Sequence, residues 1–184
     1  LLLMDPLNSD SIKKAVKEVE NKHGILDVLI NNAGTLSQED CKPANEVPVS
    51  AFRETYDLNV FALHEITTSF WNLLNKSKAA RLVNVSSMLG SLTLHSDGSL
   101  GDFKVIAYDS SKAAVNMMTT HYAYLWKGTP HKANTIHPGS VKTDMNPIGE
   151  LTLEEGAKTS VELATIGQDG PNGEFFHLGK KLPW

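Results

Sequence analysis

The chain contains a single cysteine, Cys41, so no disulfide forms within it and a reducing compartment such as the cytoplasm is the expected home. No apolar run approaches the roughly 20 residues that span a bilayer. Leu1-Leu2-Leu3-Met4 stops at Asp5-Pro6, too short for a signal peptide's hydrophobic region and without a basic flank. His23, His64, His121 and His131 show no metal-like spacing with cysteine or acidic partners, so no metal site is expected. A formal net charge of −4 gives no reason to expect nucleic acid or an anionic membrane surface as a partner. Internal repeats and low-complexity tracts are also absent.

What remains is an ordinary globular composition of 184 residues, 41% apolar and 21% charged, suited to one domain with a sizeable core. Asn8 or Ser9 caps a helix in which Ile12, Ala15, Val16 and Val19 share a face, closed by His23-Gly24. Ile25 to Ile30 reads as a strand covered on both faces. A long helix with a broad apolar stripe is predicted over residues 56–74. Strands follow at 81–85 and in "ANTIHPGSV", with helices at 108–126 and from a Thr152 cap to Ile166, and a last strand at 174–178. Residues 95–104, "HSDGSLGDFK", read as a loop. Alternating strands and helices argue for a doubly wound, mostly parallel α/β sheet. The apolar start at Leu1 reads as the end of a buried strand.

In such sheets ligands gather outside the carboxyl ends of the strands. Three polar clusters fall there: Asn31-Asn32-Ala33-Gly34, Ser86-Ser87, and Pro138 to Asp144. Taken alone, the first is turn chemistry, because Asn and Gly tolerate left-handed backbone angles. Tyr108 and Lys112 lie four residues apart, on one helix face. A cation beside the phenol favours its ionised form, and lowering its pKa by about 3 units corresponds to roughly 4 kcal/mol. Such a pair also occurs by chance on many helix surfaces. Ser87 could hold a substrate oxygen while Tyr108 exchanges a proton with it, although Ser-Ser is also an ordinary turn. No G-x-S-x-G elbow surrounds Ser87, which argues against a serine hydrolase. Asn59 is a poor helix former inside a helical stretch and needs a reason.

Taken in order, Asn31-Asn32-Ala33-Gly34, Asn59, "VNVSSMLG", Tyr108-x-x-x-Lys112 and "HPGSVKTDM" resemble the classical short-chain dehydrogenase/reductase family, in its carbonyl-reductase-like branches. The resemblance implies a single Rossmann-like domain over residues 1–184. It implies an oxidoreductase moving hydride between NADP or NAD, with NADP favoured, and a small-molecule carbonyl or secondary alcohol. Tyr108 would be the general acid or base, and Lys112 would lower its pKa and hold the nicotinamide ribose. Ser87 is preferred to Ser86 because Met88-Leu89-Gly90 follows it as in the family. Asn59 would anchor a relay water. Asn31, Ala33 and Gly34 would line the cofactor, Asp5 would meet the adenine, and Pro138, Gly139, Val141 and Thr143 would border the nicotinamide. Met88, Leu89, Leu94 and Met145 would line the substrate pocket.

Two departures accompany it. The family's glycine-rich pyrophosphate turn is expected upstream of residue 1 with the first strands, which makes the domain N-terminally truncated on this reading. Ser87 and Tyr108 stand 21 positions apart, and the added loop is expected to shape substrate choice. A non-catalytic relative of the same fold, or an inactive fragment, is the second reading. The family also implies a homodimer or tetramer; Phe61, Phe70, Trp71, Met118, Tyr122 and Trp126 would suit its interface, and core packing explains several of them equally well.

Overall fold

The computed structural model describes residues 1–184. Asn8 caps helix α1 (Ser9–His23) by accepting from the Asp10 and Ser11 N–H groups, and Gly24, at φ 72°, terminates it in the left-handed region. Strand β1 (Val28–Asn31) follows, then a single tight turn at Gln38–Asp40. Helix α2 (Val49–Tyr56) runs through a π-helical segment (Asp57–Ala62) into α3 (Leu63–Asn75). The predicted long helix is therefore one rod with a wide turn inserted around Asn59. Strand β2 (Arg81–Val85), a tight turn at Met88–Gly90 and short helix α4 (Leu92–Ser96) lead to the 20-residue α5 (Ile106–Leu125). Strand β3 (Lys132–Ile136), α6 (Leu153–Ala164), β4 (Phe175–His177) and β5 (Lys180–Lys181) complete the chain.

The five strands lie in sequence order, parallel from β1 to β4, with β5 antiparallel on the edge. Strand side chains alternate between faces, so β2 feeds both layers. Leu82 packs with Leu74, Tyr122, Trp126 and Ala133 against α3 and α5. Its neighbour Val83 packs with Ile136 and Leu163 of α6 on the opposite face. A third cluster, Ile12, Ala15, Ile66, Phe70 and Leu73, joins α1 to α3. The arrangement is a Rossmann-like sheet with helices on both faces.

Four expectations are corrected. Residues 1–4 form no strand: Leu2 and Met4 fold inward onto the α1–α3 cluster, while Leu1 and Leu3 stay exposed. β1 is an edge strand, so Val28 and Ile30 are more than a third exposed on one face while Leu29 packs inward on the other. His95 and Ser96 of the expected loop belong to α4. The expected interface set is mostly interior: Phe70, Tyr122 and Trp126 are buried, and Trp71 and Met118 pack half-buried against them. Only Phe61, 60% exposed, stands free. β5 carried no sequence signal, and its hairpin depends on left-handed backbone at Leu178 and Gly179.

Candidate active site

The carboxyl ends of β1, β2 and β3 and the first turns of α5 meet along one rim of the sheet. Tyr108 sits in the first turn of α5, and Lys112 lies one turn further on. Lys112 is buried, donates from Nζ to the Val85 carbonyl at 2.9 Å, and stands 5.4 Å from the centroid of the Tyr108 ring. Ser87 is also buried. Its Oγ accepts the Leu89 N–H at 3.2 Å, and its hydroxyl lies beside the Tyr108 phenol. Ser86 is turned away, its hydroxyl bonded to the Lys112 carbonyl at 3.1 Å.

Burial pushes the Tyr108 phenol up to about 12, with the Ser87 hydroxyl acting in the opposite direction and the Asp109 charge adding to the rise. Burial pushes Lys112 down to about 8. In this arrangement burial of the phenolate sets the direction, and the lysine expected to lower the phenol is itself desolvated. The phenol therefore carries its proton at neutral pH, though raising its pKa also makes it a weaker acid.

The π-helical segment places Asn59 in the interior, where its side chain takes three bonds. Oδ1 accepts the Thr35 N–H at 2.7 Å, and Nδ2 donates to the Thr35 carbonyl at 2.9 Å and to Ser111 Oγ at 3.0 Å. A π-bulge at a functional residue is a recurrent device, and here it supplies the reason an asparagine occupies this helix. Gly34 lies in the gap so formed: a Cβ there would come within 3.3 Å of Asn59 Oδ1 and 3.4 Å of Lys112 Nζ. Asn59, Lys112 and the turn after β1 are thus in one place.

Beside them is an apolar hollow of about 200 Å³ bordered by Met4, Pro6, Asn31, Asn32, Ala33 and Leu58. The Asn31 side-chain amide faces inward, donating to Asn84 Oδ1 at 2.8 Å and to Thr67 Oγ1 at 2.9 Å. Asp5 is exposed next to the hollow, with Oδ1 accepting the Leu7 N–H. Pro138 and Gly139 follow β3, and Gly139 has φ 90° with Leu151 and His177 packed where a Cβ would go. Val141 bridges to Leu151, and Thr143 forms an exposed turn with Asn146. Met88, Leu89 and Leu94 are half-buried around Ser87, whereas Met145 is 48% exposed on the loop after β3.

The sequence reading missed Asp40. It is fully buried and receives the backbone N–H groups of Ala107 at 3.0 Å and Tyr108 at 2.8 Å. It also missed His95, whose Nε2 lies 2.8 Å from the Leu89 carbonyl and 3.4 Å from Asp109 Oδ2. Neither has a local signal, because each partner is remote in sequence or looks like part of a polar loop.

Residues 2–150 match the family model described as short chain dehydrogenase. The chain is 33% identical over 173 residues to short-chain dehydrogenase anuI of Penicillium roqueforti, covering 90% of this chain and 68% of that protein. It is 30% identical over 158 residues to short-chain dehydrogenase/reductase eupG of Phoma sp., covering 78% of this chain and 57% of that one. In three dimensions it is similar to an NADPH-bound carbonyl reductase from chicken fatty liver, with a TM-score of 0.85 and 26% identity over 100% of this chain and 76% of that one. The chain thus spans between 57% and 76% of the length of these three proteins.

Proposed function

The chain belongs to the short-chain dehydrogenase/reductase family, and on that footing we propose that it serves reversible hydride transfer between NADP or NAD and a carbonyl or secondary alcohol. The observation that carries this reading is the convergence of Ser87, of Tyr108 and Lys112 on α5, and of Asn59, three separate segments, with the Gly34 turn set against Asn59 and Lys112. The nicotinamide, when bound, supplies or accepts the hydride.

The residues present suit such a cofactor. The hollow beside Asn31 to Ala33 is apolar and open, as an adenosine requires. Lys112 has three N–H donors and uses one on Val85, which leaves two for ribose hydroxyls. NADP is favoured because the similar carbonyl reductase structure holds NADPH. Asp5 faces the adenine in this reading, while Pro138, Gly139, Val141 and Thr143 border the nicotinamide.

In the reducing direction, Tyr108 gives its proton to the substrate oxygen as hydride arrives at carbon. The oxygen is positioned by the Ser87 hydroxyl, whose hydrogen is free to donate because Oγ accepts from Leu89 N–H. Burial keeps the Tyr108 phenol protonated at neutral pH, so the proton needed in the reducing direction is present on it. Asn59 keeps one Oδ1 lone pair for a relay water. Met88, Leu89, Leu94 and Met145 give the substrate side an apolar, adaptable wall.

No helix is long and apolar enough to cross a membrane. A cytoplasmic location fits the one free, exposed thiol of Cys41. A homodimer or tetramer fits the exposed Phe61 in the π-helical segment before α3 and the exposed Met117, Tyr124 and Leu125 on α5.

The test is carbonyl-dependent oxidation of NADPH followed with the wild-type protein and Tyr108→Phe. Loss of one positioned general acid is expected to lower kcat by roughly 10² to 10⁴-fold with cofactor affinity retained. Unchanged turnover in Tyr108→Phe would remove the assigned chemistry.

A further inference from the structure

Helix α5 begins without a cap of its own. Val105 precedes it and has no side-chain hydrogen bond to offer, so the first N–H groups of the helix depend on groups from elsewhere. Asp40, 67 positions from Ala107, supplies one carboxylate oxygen to Ala107 and the other to Tyr108. Asp109 reaches back to the Val105 N–H at 3.2 Å through Oδ2. The same oxygen lies 3.4 Å from His95 Nε2, and that nitrogen must carry hydrogen because it also bonds the Leu89 carbonyl at 2.8 Å. The Met88–Gly90 turn that contains Leu89 starts at Ser87.

We propose, building on the function assigned above, that Asp40 and the His95–Asp109 pair are positioning residues that lock the Ser87 turn to the first turn of α5 and so fix the Ser87–Tyr108 geometry. His95 ties the serine's turn to Asp109, and Asp109 and Asp40 tie the tyrosine's turn to the body of the domain. Plain helix capping is a weaker account. A serine at position 105 would satisfy a helix start for about 1 kcal/mol without burying charge. The fold instead holds two carboxylates close together, with Asp109 Oδ1 buried and lacking a partner. Burial and the charge of Asp40 both push Asp109 up, to about 6, against the Val105 N–H bond and the pull of His95 and Lys104. Such an arrangement is unfavourable for stability and is accounted for by what it positions.

The experiment compares His95→Phe, His95→Gln and Asp40→Asn with the wild-type chain. His95→Phe keeps a ring but loses the N–H, and His95→Gln returns a donor for the Leu89 carbonyl. For His95→Phe we expect kcat to fall about ten-fold or more with the cofactor KM unchanged, and His95→Gln to recover most of it. Amide hydrogen exchange at Ala107 and Tyr108 is expected to accelerate in Asp40→Asn, and at Tyr108 in His95→Phe. A lower Tm with kcat unchanged well below the melting range would reduce both sites to capping and overturn the proposal. If the wild-type protein turns over no carbonyl, the assigned function fails, and the exchange readout still decides: normal protection of Tyr108 in His95→Phe rules the lock out.

Discussion

A Cβ placed on Gly90 would lie 2.6 Å from the Lys112 carbonyl carbon and 2.8 Å from the Ala113 nitrogen. The turn after Ser87 therefore touches the backbone of α5 at the residue that carries the candidate cofactor lysine. Asn116 Nδ2 adds a bond to the Gly90 carbonyl at 3.2 Å.

Backbone cannot swing aside as a side chain does, so Gly90→Ala must push the turn and α5 apart. We expect a loss of about 1 to 3 kcal/mol in stability together with a fall in kcat. Gly167→Ala is the control, because nothing lies within 4 Å of its added methyl. Urea unfolding and turnover of the two variants provide the comparison.

Asn84 is fully buried at the centre of a polar ladder through the core. Its Oδ1 accepts from Asn31, and its Nδ2 donates to Thr119 Oγ1 at 2.8 Å, linking β1 and β2 to α5. Asn31 extends the ladder to Thr67 on α3. Asn84→Leu would leave the Asn31 amide short of one acceptor in a dry interior, at about 1 to 3 kcal/mol for the orphaned group alone. Denaturant midpoints of this variant against wild type give the measure.

Arg81 is 5% exposed and has no carboxylate partner; its guanidinium binds carbonyls. Nε and Nη2 reach Ile166 O at 2.9 and 2.7 Å, just past the end of α6, and Nη1 reaches Ala79, Ala80 and Pro130. Lysine has three donors on a point charge and cannot serve this fork. Arg81→Lys should therefore destabilise by several kcal/mol, on the scale of other broken buried networks, and thermal melts will show whether it does.

Asp109 and His137 should act in opposite directions on stability between pH 4 and 6.5. Asp109 is pushed up to about 6, so on acidification the native state takes up its proton first; this contribution is present below the unfolded pKa near 4 and is lost as pH rises through 6. His137 is pushed down to about 4 by burial and the neighbouring His177, so its contribution runs the other way, absent at low pH and complete above about 6.5. Each spans about 3 kcal/mol before solvent screening. Asp109→Asn should unmask the histidine, giving a stability that climbs by roughly 1 to 2 kcal/mol across this window, and also a more stable protein at pH 7. Chemical denaturation at pH 4.5 and 6.5 tests the sign; a wild-type slope as steep as the variant's contradicts it.

The sequence by itself determined the α/β alternation and most element positions, because these rest on local physics, while Ser87, Tyr108 and Lys112 stood out only through the order of motifs that resembles the family. Caps such as Asn8 and Thr152, helical periodicity and the four-residue Tyr–Lys spacing act over a few residues. It also posed the question of Asn59, which tertiary structure answered with a π-helical turn and bonds to Thr35 and Ser111. Burial was beyond its reach. That Phe70, Tyr122 and Trp126 are core, that Ile30 is exposed, and that burial pushes the phenol of Tyr108 up all depend on which elements cover which face. Asp40 and His95 were invisible for the same reason. A carboxylate 67 residues from the N–H it binds has no pattern in the chain, and only the packing of a distant turn against the start of α5 makes it part of the site.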